Sequence, residues 1–362
     1  MAYTEQEARR LVVEAGLRLL ETGLIARTWG NLSARISDTH FVITPSGLAY
    51  ETLLPEQLVK VAIADCAYEG AIKPSSEKGI HADAYRNRPQ VNFVIHTHQE
   101  AASIYGVAGA DLPGDGGLLG PQVPCAAYGL SSTKKLRRAV TAAAQTHPDS
   151  PAVLMRHHGA LVMGNDCENA FAVAQALEQA CKAQIPPLPK LQPVPDLGCS
   201  ARSADGFSLT VDRQTTTYSL AEPLDGPAAL HGAIYRATDT QFIRHETGAA
   251  VAEISRMGQT VRPLLDDLAQ IAGISIRCVE PTPEAVIRGL KGRNAVLLRG
   301  CGAFCTGGTD SDAEAACILL RKDCAAQRFA ATMPGSKPVG KLDAWIERTI
   351  YVKKYAKKKG GV

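Results

Sequence analysis

The segment Val91-Asn92-Phe93-Val94-Ile95-His96-Thr97-His98 reads as a buried strand that ends in a pair of histidines. A short, nearly continuous apolar run of this kind is what a strand covered on both faces needs. Residues two apart on an extended backbone face the same side, so His96 and His98 can present two imidazoles to one point from a stiff support. That geometry suits a metal ion, and a second pair, His157-His158, follows the apolar stretch Ala152 to Met155. A single His-x-His also arises by chance, so the pair alone leaves a metal ligand and a buried structural residue equally open.

Composition narrows the field. The chain has 362 residues, 45% of them apolar, enough for a large core and in favour of two domains. No stretch has the charged, apolar and small-residue regions of a secretion signal, and no apolar run nears membrane-spanning length, so a soluble cytoplasmic protein without a membrane partner is expected. The ten cysteines are scattered without C-x-x-C spacing and are read as reduced core residues, with no structural zinc site. A net charge of +3 would invite a nucleic-acid partner, but Lys353, Lys354, Lys357, Lys358 and Lys359 in the last ten residues account for more than all of it. The body is not basic, and no nucleic acid is expected.

On the N-terminal side, Thr4 to Glu21 carries Ala8, Leu11, Val12, Ala15 and Leu19 at helical spacing, with Gly23 as a stop. Thr28 to Arg35 reads as turn-rich, Phe41 to Ile43 as a short strand and Thr44-Pro45-Ser46-Gly47 as a tight turn. Leu58 to Ile63 reads as a strand paired with Ala71-Ile72. Pro74-Ser75-Ser76-Glu77 then starts a helix that runs to about Arg88. The Gly30-Asn31 turn and the Ser75-Ser76 helix start expose backbone N–H groups beside small polar side chains, a combination that binds anions, although each alone is equally a simple turn or cap. On the C-terminal side come a helix from Glu100 to Gly106, a glycine-rich loop from Gly114 to Gly120, a helix from Ser131 to Gln145, the strand Ala152 to Met155 and a helix from Cys167 to Ala183. Short strands mixed with helices predict an α/β domain with a mainly antiparallel sheet.

Five of these features occur together in a recognisable order: Gly-Asn-x-Ser-x-Arg at 30 to 35, Ile-Thr-Pro-Ser-Gly at 43 to 47, Pro-Ser-Ser-Glu at 74 to 77, His-x-His at 96 to 98 and His-His-Gly at 157 to 159. The first half of the chain thereby resembles the class II aldolase/adducin family. The resemblance implies a three-layer α/β/α fold and a zinc ion, or another divalent metal, held by His96, His98 and His158. It also implies a general acid/base at Glu77 and a substrate phosphate bound by Gly30, Asn31, Ser46, Gly47, Ser75 and Ser76. Three protein ligands leave zinc an open position, as catalysis requires, and the metal would stabilise an enediolate formed when a carbon–carbon bond breaks. His157 is left in support of its neighbour.

The implied activity is retro-aldol cleavage of a small phosphorylated ketose to dihydroxyacetone phosphate and an aldehyde. A dehydratase, decarboxylase or 4-epimerase of the same family is the alternative, and a non-catalytic adducin-like assembly protein is an alternative of another class. The family's epimerases carry Asp where this chain has Glu77. The fuculose-phosphate aldolases carry a tyrosine in the loop where this chain has Gly114 to Gly120, which leaves the substrate open.

Residues 1–184 thus read as a catalytic domain, and the proline-dense segment 185–198 as a stiff linker. Residues 199–335 read as a second copy of the fold. Ala295 to Ala303 runs parallel to Ala152 to Ala160 and the match continues to Gln327 opposite Gln184, with about thirteen identities; His231, Tyr235 and Arg236 match His81, Tyr85 and Arg86. The chemical residues do not recur: Cys301 stands opposite His158, Leu224 to Pro227 opposite Pro74 to Glu77, and Arg244-His245-Glu246-Thr247 opposite the histidine strand, which is therefore read as having lost its histidines. Cys301, His245 and Glu246 remain an outside candidate for a different metal site. Family members assemble as cyclic tetramers, so a homo-oligomer in which two chains imitate a tetramer is expected. Residues 336–362 read as a C-terminal helix, packing Trp345, Ile346, Ile350 and Tyr351, and a lysine-rich tail; Tyr351 or Tyr355 is a candidate to reach a neighbouring site.

Overall fold

The histidine strand forms where its apolar run predicts it, with Phe93, Val94 and Ile95 fully buried inside a seven-stranded sheet. The computed structural model describes residues 2–25, 29–114, 116–188 and 190–353; Thr28, Tyr355 and the lysines from Lys354 onward lie outside the described residues. The chain divides into two units, Met1–Ile185 and Pro186–Val362.

The first unit runs α1 (Glu5–Glu21), β1 (Asn31–Arg35), β2 (His40–Ile43), β3 (Val59–Ala62), α2 (Lys78–Asn87), β4 (Phe93–Thr97), α3 (Glu100–Gly106), β5 (Leu112–Pro113), β6 (Gln122–Val123), β7 (Cys125–Ala126), α4 (Lys134–Thr146), β8 (Ala152–Met155), β9 (Gly159–Gly164) and α5 (Cys167–Gln184). Its main sheet has the order β3-β2-β1-β4-β9-β8-β7 and is antiparallel except at the parallel β7–β8 edge. α2 and α4 cover one face, through Ile80, Tyr85, Leu136 and Val140, and α1, α3 and α5 cover the other. The result is the expected three-layer α/β/α arrangement with a mixed, mostly antiparallel sheet.

Three readings of the first unit need correction. The stretch taken as turns contains β1, a central strand with all five residues buried. Its polar letters hid it: Ser33 bonds to His81 and Tyr85, and the Arg35 guanidinium donates to the carbonyls of Tyr85 and Val91, so no apolar pattern is required. β3 pairs with β2 rather than with Ala71-Ile72, and Ile72 is exposed. The glycine of His-His-Gly opens β9, a strand absent from the sequence reading, which pairs with both β4 and β8.

The second unit runs β10 (Cys199–Arg202), β11 (Gly206–Val211), β12 (Gln214–Ser219), α6 (Gly226–Ala237), β13 (Phe242–Glu246), α7 (Ala249–Met257), α8 (Asp266–Ile271), β14 (Cys278–Val279), α9 (Pro283–Leu290), β15 (Ala295–Leu298), β16 (Gly302–Gly307), α10 (Asp310–Thr332) and α11 (Lys341–Tyr351). Its sheet order, β12-β11-β10-β13-β16-β15-β14, repeats that of the first unit strand for strand. The register repeats too: Phe93 faces Gly164 and Phe242 faces Gly307. The described residues between α5 and β10 form neither helix nor strand.

The C-terminal helix packs differently from the expectation. Glu347 accepts from Gln270 at 2.7 Å and Arg348 donates to the carbonyls of Gln270 and Ile271, so α11 lies on α8 through Ala344 and these polar groups. Trp345 and Ile350 are exposed instead. No helix among the described residues is long and apolar enough to cross a membrane, and all ten cysteines are free.

Candidate metal centre

His96 lies next to the end of β4, and its Nδ1 sits 2.9 Å from the carbonyl oxygen of Ala160 on β9. A carbonyl only accepts, so Nδ1 carries the proton and Nε2 turns its lone pair inward. His98, one residue past the strand, brings Nε2 to 3.0 Å from His96 Nε2. His158 arrives from the β8–β9 turn and stacks on His96 with ring centroids 5.0 Å apart. One ligand nitrogen from each of the three lies within 4.8 Å of the others. Three converging imidazoles, one oriented by a backbone acceptor, fit a divalent ion with a coordination position left over.

Two glycines make this convergence possible. A Cβ on Gly159 would stand 2.2 Å from the Thr97 carbonyl oxygen, and one on Gly30, at φ +111°, 2.5 Å from that of His96. The backbone comes this close to the histidine strand only without side chains. His157 takes the opposite course: it is left-handed at φ +65° although it bears a side chain, and its ring meets Tyr128 edge-on at 5.4 Å. Adjacent histidines thus serve different neighbours.

Glu77 occupies the N-cap position of α2 but makes no capping bond with its side chain. Its carboxylate turns instead to the histidines, Oε1 3.2 Å from His158 Nε2 and Oε2 3.2 Å from His96 Nε2. Burial alone would push this carboxyl up; the imidazoles of His96, His158 and His98 outweigh burial and hold it well below the usual carboxylate range. The group is therefore ionised and able to accept a proton. Asn31 Nδ2 donates to Oε2 at 3.1 Å.

The residues expected to bind phosphate gather by backbone pairing. Pro45 bridges Pro74, Ser46 N donates to the Lys73 carbonyl and Ser75 N to the Thr44 carbonyl, both at 3.0 Å. Tyr50 OH donates to the Gly30 carbonyl at 3.1 Å. Sequence reasoning did not single out two side chains that adjoin these residues. Ser132, at φ +62° before α4, places its hydroxyl 2.7 Å from that of Ser76. His81 reaches Asn31 with Nε2 at 2.5 Å from Oδ1. Only the match of His81 with His231 marked it in the sequence.

A profile described as Class II Aldolase and Adducin N-terminal domain matches residues 10–185 and again 212–328. The chain belongs to the class II aldolase/adducin family. It carries the family domain twice in tandem. A 5-deoxy-D-ribulose 1-phosphate aldolase of Bacillus thuringiensis serovar kurstaki is 33% identical over 210 residues, 56% of this chain and 97% of that protein. Among solved structures, an L-fuculose 1-phosphate aldolase is 27% identical over 50% of this chain and 86% of its own, with a TM-score of 0.46. The L-fuculose-1-phosphate aldolase of Thermus thermophilus is also 27% identical, over 48% and 91%, with a TM-score of 0.41.

The second class II aldolase domain keeps one histidine that the sequence reading had counted as lost. Sheet register sets His245 at the place of His96, Thr247 at that of His98 and Cys301 at that of His158. Both nitrogens of His245 are used: Nδ1 accepts from Leu197 N at 3.0 Å and Nε2 donates to the Cys301 carbonyl at 2.6 Å. Glu246 is taken by Arg321 and by Gly248 N. His245 and Glu246 are thus spent on structure, the Cys301 side chain packs against the core of the second unit, and among the described residues His96, His98 and His158 form the metal-suited group.

Proposed function

We propose that the chain is a zinc-dependent aldolase that cleaves a small ketose 1-phosphate to dihydroxyacetone phosphate and an aldehyde, using one centre in the first unit. The convergence of His96, His98 and His158 on the buried Glu77 carboxylate carries this reading. Family membership and the 33% identity to a ketose 1-phosphate aldolase support lyase chemistry on a phosphorylated sugar.

His96, His98 and His158 would hold the ion, zinc suiting an all-nitrogen set of three with an open position. When bound, the ion supplies Lewis-acid polarisation of a substrate oxygen. Gly30, Asn31, Ser46, Gly47, Ser75 and Ser76 bind the phosphate through backbone N–H groups, hydroxyls and the Asn31 amide. The bond between the third and fourth carbons breaks, its electron pair stays with the ketone fragment, and the 4-hydroxyl proton passes to the Glu77 carboxylate as the aldehyde forms, to be returned to the third carbon. Glu77 is the acid/base that moves the proton exchanged with the carbon centre. The ten unpaired cysteines accord with a reducing cytoplasm. We read the assembly as a homo-oligomer in which two chains imitate a family tetramer, which a stable monomeric solution mass would contradict.

The test is product analysis on a panel of ketose 1-phosphates with the metal-loaded chain. Equal amounts of dihydroxyacetone phosphate and aldehyde support the proposal. Loss of water, loss of carbon dioxide or epimerisation without cleavage refutes the aldolase assignment, and no turnover with metal bound returns the chain to an assembly role.

A further inference from the structure

His81 lies four residues beyond Glu77, is fully buried and touches neither the three histidine nitrogens nor the carboxylate by any hydrogen bond of its own. It links two parts of the molecule. Tyr85 OH and Ser33 Oγ are 2.7 Å apart, Ser33 Oγ and His81 Nδ1 are 2.7 Å apart, His81 Nε2 and Asn31 Oδ1 are 2.5 Å apart, and Asn31 Nδ2 lies 3.1 Å from Glu77 Oε2.

The direction of this chain is fixed at its end. Asn31 turns its Nδ2 to Glu77 Oε2 at 3.1 Å, and an amide nitrogen only donates, so the Asn31 amide oxygen, which only accepts, faces His81. His81 therefore carries its proton on Nε2, and Nδ1 accepts from Ser33. The reverse amide orientation would set two oxygens against each other. Burial first, and then the nearby His96, push the His81 pKa down to about 3, so the ring stays neutral in this tautomer at ordinary pH.

The second unit separates the structural part of the network from the rest. Ser200 Oγ lies 2.6 Å from His231 Nδ1 and 2.7 Å from Tyr235 OH, and Arg202 donates to the Tyr235 carbonyl as Arg35 does to that of Tyr85. His231 Nε2, however, donates to the Leu197 carbonyl at 3.0 Å. By register, Gly198 stands at the place of Asn31, and by alignment Pro227 stands at that of Glu77. The Ser-His-Tyr frame is common to both units; the outer links to an amide and a carboxylate exist in the first alone.

We propose that His81 is a positioning residue: by holding the Asn31 oxygen it aims the Asn31 NH2 group at Glu77 and at the substrate phosphate. One amide hydrogen serves Glu77, and the other is directed to an anion. The inference rests on the reading of Asn31 as a phosphate contact. Its test is separable from turnover, because inorganic phosphate can be used as the probe.

The full-length, metal-loaded chain is titrated with inorganic phosphate by calorimetry in wild type, His81→Phe, His81→Gln, His231→Phe, Asn31→Ala and the double variant His81→Phe with Asn31→Ala. Thermal midpoints and kcat and KM for a ketose 1-phosphate are measured in parallel. His81→Phe and His231→Phe are expected to lower the thermal midpoint similarly, since each breaks the same frame. Only His81→Phe weakens phosphate binding, by about tenfold, the worth of one hydrogen bond to a charged group, and raises KM accordingly. His81→Gln, which keeps a donor toward Asn31, recovers most of that loss. In the Asn31→Ala background, His81→Phe has no further effect on phosphate. Wild-type phosphate affinity in His81→Phe, or an equal loss with and without Asn31, overturns the proposal. Should His81→Phe not fold, Ser33→Ala tests the same link by releasing the tautomer: weaker phosphate binding than wild type supports it and unchanged binding overturns it. A wild type that binds phosphate but cleaves no sugar phosphate refutes the aldolase assignment while the phosphate series still decides the role of His81.

Discussion

Glu77 Oε1 and His158 Nε2 lie 3.2 Å apart across 81 residues of sequence. A helix-start residue and a turn residue meet there because β1, β4 and β9 pair side by side, and Asn31 at the start of β1 donates to Glu77 at the N-cap of α2. Under the proposed function, this separation lets the carboxylate act on a substrate held at the imidazoles.

Replacing Glu77 by Gln keeps the shape and the Asn31 contact region but removes the basic oxygen. Turnover should fall by about 10²–10⁴-fold, the usual worth of a positioned acid/base, while metal content, measured by elemental analysis, stays at the wild-type level. Retained turnover would remove Glu77 from the proton-transfer role.

Gly30→Ala should strike the centre from outside. The new Cβ would meet the His96 carbonyl oxygen at 2.5 Å, on a residue already at φ +111°. Strain of about 1–3 kcal/mol is expected, and relief by moving β4 would shift His96. Metal titration should show affinity lowered by about 10–100-fold, comparable to loss of an orienting contact. Substitution at the open, left-handed Gly70, where a Cβ meets nothing within 4 Å, should leave metal affinity unchanged.

Acid should destabilise the second unit through His231. Burial, the largest cause, pushes its pKa down to about 4, whereas the unfolded chain protonates near 6.5. Below about pH 6.5 the unfolded state therefore binds a proton that the folded state refuses, and stability falls with pH by about 1.4 kcal/mol per unit until the folded pKa is reached. Above pH 6.5 this group contributes no slope. Denaturant midpoints taken from pH 7 to pH 5 should fall less steeply in His231→Phe than in wild type; equal slopes would assign the acid sensitivity elsewhere.

Much of this centre was legible in the letters, and the failures have physical reasons. His96, His98 and His158 stand beside apolar runs, and such runs announce strands. Asn31 to Arg35 did not, because its buried polar groups are satisfied by partners far away in sequence, among them Tyr85 and Val91. His245 was read as part of a lost site because alignment shows which letter stands opposite which, and only the register shows that its ring is held by Leu197 and Cys301. The turn at His157 shows the converse. Gly300 matches it at φ +68° in the second unit, so the repeat carries the residue that this backbone prefers, while the first unit keeps a side chain there at a cost of about 1–2 kcal/mol.

The central claim, one metal centre per chain and that one in the first unit, is tested most directly by metal stoichiometry. Elemental analysis of the dialysed, metal-reconstituted chain should give one divalent ion per chain in wild type and in His245→Ala, and none in His98→Ala or His158→Ala. Two ions per chain, retention of the ion in His98→Ala or His158→Ala, or its loss in His245→Ala would contradict the account.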